Sequence, residues 1–279
     1  MAGGWENPGI MLLMTQANLH LQARAALLET DPDAKIAAVG RLEGDWQAGR
    51  LEAEPVAVEA VPVPGRPPRP ELVAPRDLAR RRPNTPEGHA ALIHALCHIE
   101  FNAINLALDA VYRFTDLPAD FYTDWLRVAR EEGAHFELLR THLRGLGYDY
   151  GDFSAHNGLW EAAVETDHDP LIRMALVPRV LEARGLDVTP GIMAKLEGIG
   201  DKDAVAILRI IQRDEVGHVA IGTRWFRHLC TERNLVPEST FQSLLSASRQ
   251  GRIRGPLDRD ARLRAGFTEA ELDYLEGTG

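Results

Sequence analysis

Two stretches decide how this chain reads: Arg130-Glu131-Glu132-Gly133-Ala134-His135 and Arg213-Asp214-Glu215-Val216-Gly217-His218. Both run Arg, acid, Glu, two small or aliphatic residues, His. Residues three apart share a face of an α-helix, so each stretch presents a carboxylate and an imidazole side by side. A lone Glu precedes each: Glu100 stands 32 residues before Glu132, and Glu182 stands 33 before Glu215. That separation fits an antiparallel helix pair, where half a helix, a turn and half a helix back return the chain to the same level. Four-helix bundles that hold two metals take one Glu from each of two helices and a Glu-x-x-His from each of the other two. Glu100, Glu132, His135, Glu182, Glu215 and His218 supply all six.

Carboxylate and imidazole suit iron or manganese, whereas a soft-metal site would want cysteine. In a dimetal arrangement Glu132 and Glu215, beside their histidines, are the bridging candidates, and Glu100 and Glu182 the terminal ones. Four carboxylates then balance two divalent cations. The same carboxylates buried without a cation would be very costly. Glu131 and Asp214 each precede a ligand Glu. A metal-bound histidine donates its other N–H to a carboxylate or carbonyl, and these two acids are candidates for that role, with Arg130 and Arg213 to neutralise them. The plainer alternative for all four is a set of surface charges flanking the stripe. His94 and His98 lie near Glu100 and are read as hydrogen-bonded histidines, with a supporting role for His94 left open. Tyr122 is read as a packing aromatic.

The rest of the chain narrows the field. With 31 Lys+Arg against 41 Asp+Glu, the 279-residue chain carries a net charge of −10, which argues against a generic nucleic-acid binder. Two basic runs, Arg80 to Arg82 and Arg249 to Arg264, are read as solvated faces. Cys97 and Cys230 stand far apart, which excludes a disulfide scaffold and a Cys-x-x-Cys site. No apolar run looks long enough for a membrane span. The start has no basic n-region and only a short apolar patch around Ile10 to Met14, so no signal peptide is read and the cytoplasm is the expected location.

Strand signals are nearly absent, so the expected class is all-α: a ferritin-like four-helix bundle with extra N- and C-terminal helices. Residues 1–84 form a helical and extended N-terminal segment, 85–234 the bundle, and 235–279 a helical tail. Residues 15–50 read as helical. Residues 51–75 change to alternating valines and then Pro64-Gly65-Arg66-Pro67-Pro68-Arg69-Pro70, an extended, Pro-stiffened stretch expected to wrap the bundle. The first bundle helix starts at Thr85 with Pro86 at its first position and runs to about Phe114. The second spans about 119–145. A long connection, 148–168, follows. The third helix, about 169–186, meets Pro178, which predicts a kink before Glu182, and a separate short helix is expected over Pro190 to Leu196. The fourth spans about 201–233, and the tail has helical pieces near 237–248 and 268–276.

Several stretches resemble a known family. They are Phe121-Tyr-Thr-Asp-Trp-Leu-Arg-Val-Ala-Arg-Glu-Glu-Gly-Ala-His135, Tyr150-Gly-Asp-Phe153, Val177 to Pro190, Arg213 to Gly222 and Gly255-Pro-Leu-Asp-Arg-Asp-Ala-Arg. On these the chain resembles ferritin-like di-iron carboxylate proteins, and more closely the bacterial family named domain of unknown function 455, over roughly residues 15–276. The resemblance implies a ferritin-like fold and a dimetal site with two iron ions as the expected cofactor, manganese or a mixed pair being the alternative. The nearest functional analogy is the di-iron hydroxylase that oxygenates an isopentenyl-adenosine of tRNA, so tRNA stays open as a substrate although the charge disfavours nucleic acid. The expected function is O2-dependent oxidation, a hydroxylase or monooxygenase acting on a small organic substrate, with an electron-donor protein and a homodimer both compatible. The alternative is a ferroxidase or iron-detoxification protein with no organic substrate.

Overall fold

The structure is a computed structural model that describes residues 17–248 and 255–277. The described residues form helices and no strand, with two isolated bridges, Asn18 to Glu52 and Leu72 to Ala155. The all-α class holds. The apolar patch at residues 10–14 and the first arginines of the second basic run lie outside the described residues. The helices are α1 Leu19–Leu28, α2 Pro32–Gln47, α3 Pro86–Arg113, α4 Ala119–Gly145, α5 Gly158–Glu165 and α6 Pro170–Leu176. A π-helical turn, Val177–Glu182, leads into α7 Ala183–Gly198, followed by α8 Lys202–Glu232, α9 Pro237–Ala247, α10 Arg259–Arg264 and α11 Glu269–Gly277. The chain divides into two compact units, Met1–Pro68 with Glu100–Ala134, and Arg69–Ile99 with His135–Gly279.

In the first unit the helical region breaks at Asp31, whose Oδ1 accepts the Ala34 N–H at 2.8 Å, with Pro32 at the first helical position. Both are strong start signals. Fully buried Lys35 reaches back from α2 and donates to the Ala26 and Leu27 carbonyls at the end of α1. The extended segment passes close to that end. Gly65 N–H donates to Leu27 O at 2.9 Å, and a Cβ at this position would overlap the Leu28 and Glu29 backbone. Further along, the Tyr112 hydroxyl accepts the Glu59 N–H at 2.7 Å. Tyr122 donates to Phe114 O at 3.0 Å and accepts the Leu117 N–H at 3.1 Å, which closes the turn after α3. Burial pushes its phenol pKa up, and its role is structural.

In the second unit α3 begins as expected, with Thr85 Oγ1 accepting the Gly88 N–H at 3.1 Å. The extended segment pairs with the connection after α4, where Val73 N–H donates to Ala155 O and Ala155 N–H to Glu71 O. That connection contains α5, a helix the sequence reading omitted. Two turns that bury only Trp160, Ala162 and Ala163 are too short for periodicity to stand out.

The break at Pro178 takes the form of the π turn, which widens the backbone so that the proline ring clears the preceding turn. The ring is seated against α8 at Gly222, where an added Cβ would overlap Pro178 Cβ and Cγ. Gly222→Ala is therefore expected to lose about 1–3 kcal/mol of stability by overpacking, read as a lower urea midpoint at unchanged slope. A midpoint equal to the parent's would show that the turn yields.

The separate helix expected over Pro190–Leu196 is corrected: Pro190 lies inside a continuous α7. A proline there leaves the carbonyl four residues earlier without its helical donor. Gln212 Nε2 of α8 donates to that carbonyl, Leu186 O, at 3.2 Å. The tail is also corrected. Within the second basic run, Arg262 is fully buried rather than solvated, and it pairs with buried Asp187 at 2.8 Å while Asp258 caps α10. Finally, α3 by itself is long and apolar enough to cross a membrane, which scanning for unbroken apolar runs did not register. Of its most apolar stretch, 78% is buried inside the protein.

Candidate metal centre

Glu100 lies midway along α3, Glu132 and His135 on α4, and Glu215 and His218 on α8, while Glu182 is the last residue of the π turn. In the first unit Glu100 and Glu132 each offer one carboxylate oxygen within 4.8 Å of the other, and in the second unit His135 and Glu215 offer one ligand atom each within the same distance. The first three are buried and Glu215 is half-buried. His218 and Glu182 belong to neither pair. His218 is buried beside the second, with Nδ1 3.5 Å from Glu215 Oε1 and its ring 5.8 Å from that of His135. Glu182 is half-buried.

The four polar residues flanking Glu132 and Glu215 take different places. Asp214 accepts a hydrogen bond from His135 Nε2 at 3.2 Å, across from α4 to α8. With Nε2 as the donor, the lone pair of the ring sits on Nδ1, the tautomer a carboxylate partner enforces in metal-ligating histidines. Arg213 flanks Asp214 at 2.8 Å. Burial pushes the Asp214 carboxyl up, but the bonds from Arg213 and His135 outweigh it and hold the group below its ordinary value. On α4, Arg130 pairs with Glu43 of α2 at 2.9 Å and only more loosely with Glu131, at 3.4 Å.

His94 and His98 belong to a packed network. His94 Nε2 accepts the Gly151 N–H at 2.9 Å and its ring stacks on Tyr150. Burial, reinforced by His98, lowers its pKa to about 4 against the opposing Asp152 and Asp149, so it is a neutral acceptor at neutral pH. His98 contacts the Tyr150 hydroxyl at 2.9 Å and His156 O at 3.0 Å.

One cluster escaped the sequence reading. His89 Nε2 and His142 Nε2 meet Asp201 Oδ2 at 2.6 and 2.7 Å. No short motif links residues 89, 142 and 201. The available signal was register: His142 follows His135 by seven residues, and His89 precedes Glu100 by eleven, each close to a whole number of helical turns.

The donor set fits a hard or borderline divalent cation. The first pair offers two carboxylate oxygens, the second a carboxylate oxygen and an imidazole nitrogen, and neither includes a sulfur ligand. Carboxylates crowded this closely repel one another, and either protons or a cation must offset that repulsion. The fold and these pairs define an all-α protein with candidate carboxylate–histidine metal ligands on its Glu-x-x-His helices. The chain belongs to the family described as Protein of unknown function (DUF455), whose profile matches residues 28–273. It is similar to an uncharacterized protein of Haemophilus influenzae, 47% identical over 265 residues that cover 91% of this chain and 92% of that protein. No solved structure matches the chain.

Proposed function

We propose that the protein is a ferritin-like dimetal oxidoreductase, with iron as the metal, that uses O2 and two electrons from a donor protein to hydroxylate a small organic substrate. The observation that carries this reading is the approach of Glu100 to Glu132 in the first unit and of His135 to Glu215 in the second, each pair of ligand atoms within 4.8 Å. Glu182 and His218 would complete the six-residue set, His218 from its place beside Glu215. Bound iron would supply O2 activation. The chain's own residues would bind and orient it: Asp214 holds the His135 ring and its tautomer, and the buried carboxylates keep the metal face poor in water.

Anaerobic Fe(II) loading of the full chain, followed by metal analysis and optical spectra on O2 exposure, tests the reading. Two irons per chain are expected, with binding abolished in Glu132→Ala. Asp214→Ala should weaken iron affinity about 10–100-fold, the usual effect of removing a histidine's carboxylate partner. A protein that takes up no metal would sink the dimetal reading. Turnover of many irons per chain with retained mineral would replace the hydroxylase by a ferroxidase.

A further inference from the structure

We propose that His89, His142 and Asp201 form a second, mononuclear binding site for a divalent transition-metal ion of the zinc class. Three side chains far apart in sequence aim one ligand atom each at a common point. His89 Nε2 lies 2.6 Å and His142 Nε2 2.7 Å from the same oxygen, Asp201 Oδ2. Each is carried by a helix end: the first turn of α3, the last turn of α4 and the residue that caps α8. The backbone therefore holds all three in place before any ion arrives.

The chemistry matches the ion. Two neutral imidazoles and one carboxylate are the donors of three-ligand zinc sites that keep a fourth position for water. The present spacings are those of hydrogen bonds. Metal–ligand bonds of about 2.0–2.2 Å in a tetrahedral site set the ligand atoms about 3.4 Å apart, so the nitrogens must draw back from Oδ2 by about 0.7–0.8 Å, within the reach of side-chain rotation. Asp201 can serve two ends at once, because its other oxygen, Oδ1, accepts the Ala204 N–H at 2.9 Å and caps α8. The side chains are mostly but not wholly enclosed, about 15% exposed for each histidine and 9% for Asp201, so an ion has a path in. This site is distinct from the centre described above. Seven residues separate His142 from His135 on α4, about 10 Å of helix at 1.5 Å per residue.

The experiment is Zn2+ binding to the metal-stripped full chain, measured by competition with a chromophoric chelator. The test variant is Asp201→Asn, because asparagine caps a helix as well as aspartate does while removing the anionic ligand. Wild type should bind one more equivalent of Zn2+ than Asp201→Asn, and His142→Gln should lose the same equivalent. The Glu132→Ala/His135→Ala double variant should retain it. Equal stoichiometry in wild type and Asp201→Asn overturns the proposal. Should the double variant fail to fold by far-UV circular dichroism, zinc-edge anomalous maps of wild-type crystals grown with Zn2+ decide. A peak among His89, His142 and Asp201 supports the site, and a map without one there refutes it.

Discussion

Glu271→Ala is expected to destabilise the fold by about 3–5 kcal/mol, the range for stranding one partner of a buried ion pair. Glu271 Oε1 holds Arg179 Nη2 at 2.6 Å, and both side chains are essentially inaccessible to water. Burial pulls the Arg179 pKa down and Glu271 pushes it back up, so the guanidinium depends on this carboxylate. Three aromatic rings, of Phe226, Phe241 and Phe267, pack around the guanidinium at 4.1–4.7 Å. Its Nε and Nη1 have no hydrogen-bond partner. Glu271 is also half of a capping box: its Oε2 accepts the Thr268 N–H at 3.0 Å, and Thr268 Oγ1 accepts the Glu271 N–H at 3.2 Å. Glu271→Gln keeps the box and removes the charge, so it separates the two contributions. The double variant Arg179→Met/Glu271→Met should be less destabilised than the sum of its single variants, because neither leaves an ion behind. Urea unfolding of the four proteins gives the coupling. A Glu271→Ala loss under 1 kcal/mol with additive single variants would show that the pair does not carry the clamp. Arg179 stands three residues before Glu182 in the π turn. The same substitution should therefore also lower metal retention if Glu182 is a ligand.

This clamp marks where sequence reading ends. The long helices were legible because their signals are local and repeated: Thr85 with Pro86, and apolar steps of three and four over some thirty residues. The two Glu-x-x-His pairs were legible for the same reason, since each is a property of one helix. Arg179 and Arg262 were not, because an arginine in an Arg-rich tail or beside a proline looks like a solvated charge. Only the tertiary partners Glu271 and Asp187 make them core residues. Pro190 misled for a related reason. The cost of a proline within a helix was counted, but the donor that offsets it, Gln212, sits 26 residues beyond the carbonyl it serves. The His89–His142–Asp201 cluster combines both difficulties, because it has no motif and all its partners are distant.

Between pH 7 and 9 the protein is expected to gain about 2–3 kcal/mol of stability through Lys35 alone. Lys35 is fully buried and uses all three ammonium hydrogens, on Ala26 O at 3.1 Å, Leu27 O at 2.7 Å and Asn105 Oδ1 at 2.7 Å. Burial lowers its pKa from 10.5 to about 7, with Glu29 opposing. Below pH 7 the amine is protonated in both the folded and the unfolded chain, and stability does not change with its titration. Between about 7 and 10.5 the folded protein has lost the proton that the unfolded chain still holds. The unfolded state then binds more protons, so unfolding becomes harder as pH rises, by up to about 1.4 kcal/mol per unit. Above 10.5 both states are neutral and the gain levels off. Lys35→Met removes the titrating group while keeping a long apolar stem, so its stability should lack this rise, whatever the substitution costs at pH 7. Urea unfolding of both proteins at pH 7, 8 and 9 measures the difference in slope. Parallel pH profiles would mean that Lys35 keeps its proton throughout, held by the two helix-end carbonyls and Asn105 against the cost of burial.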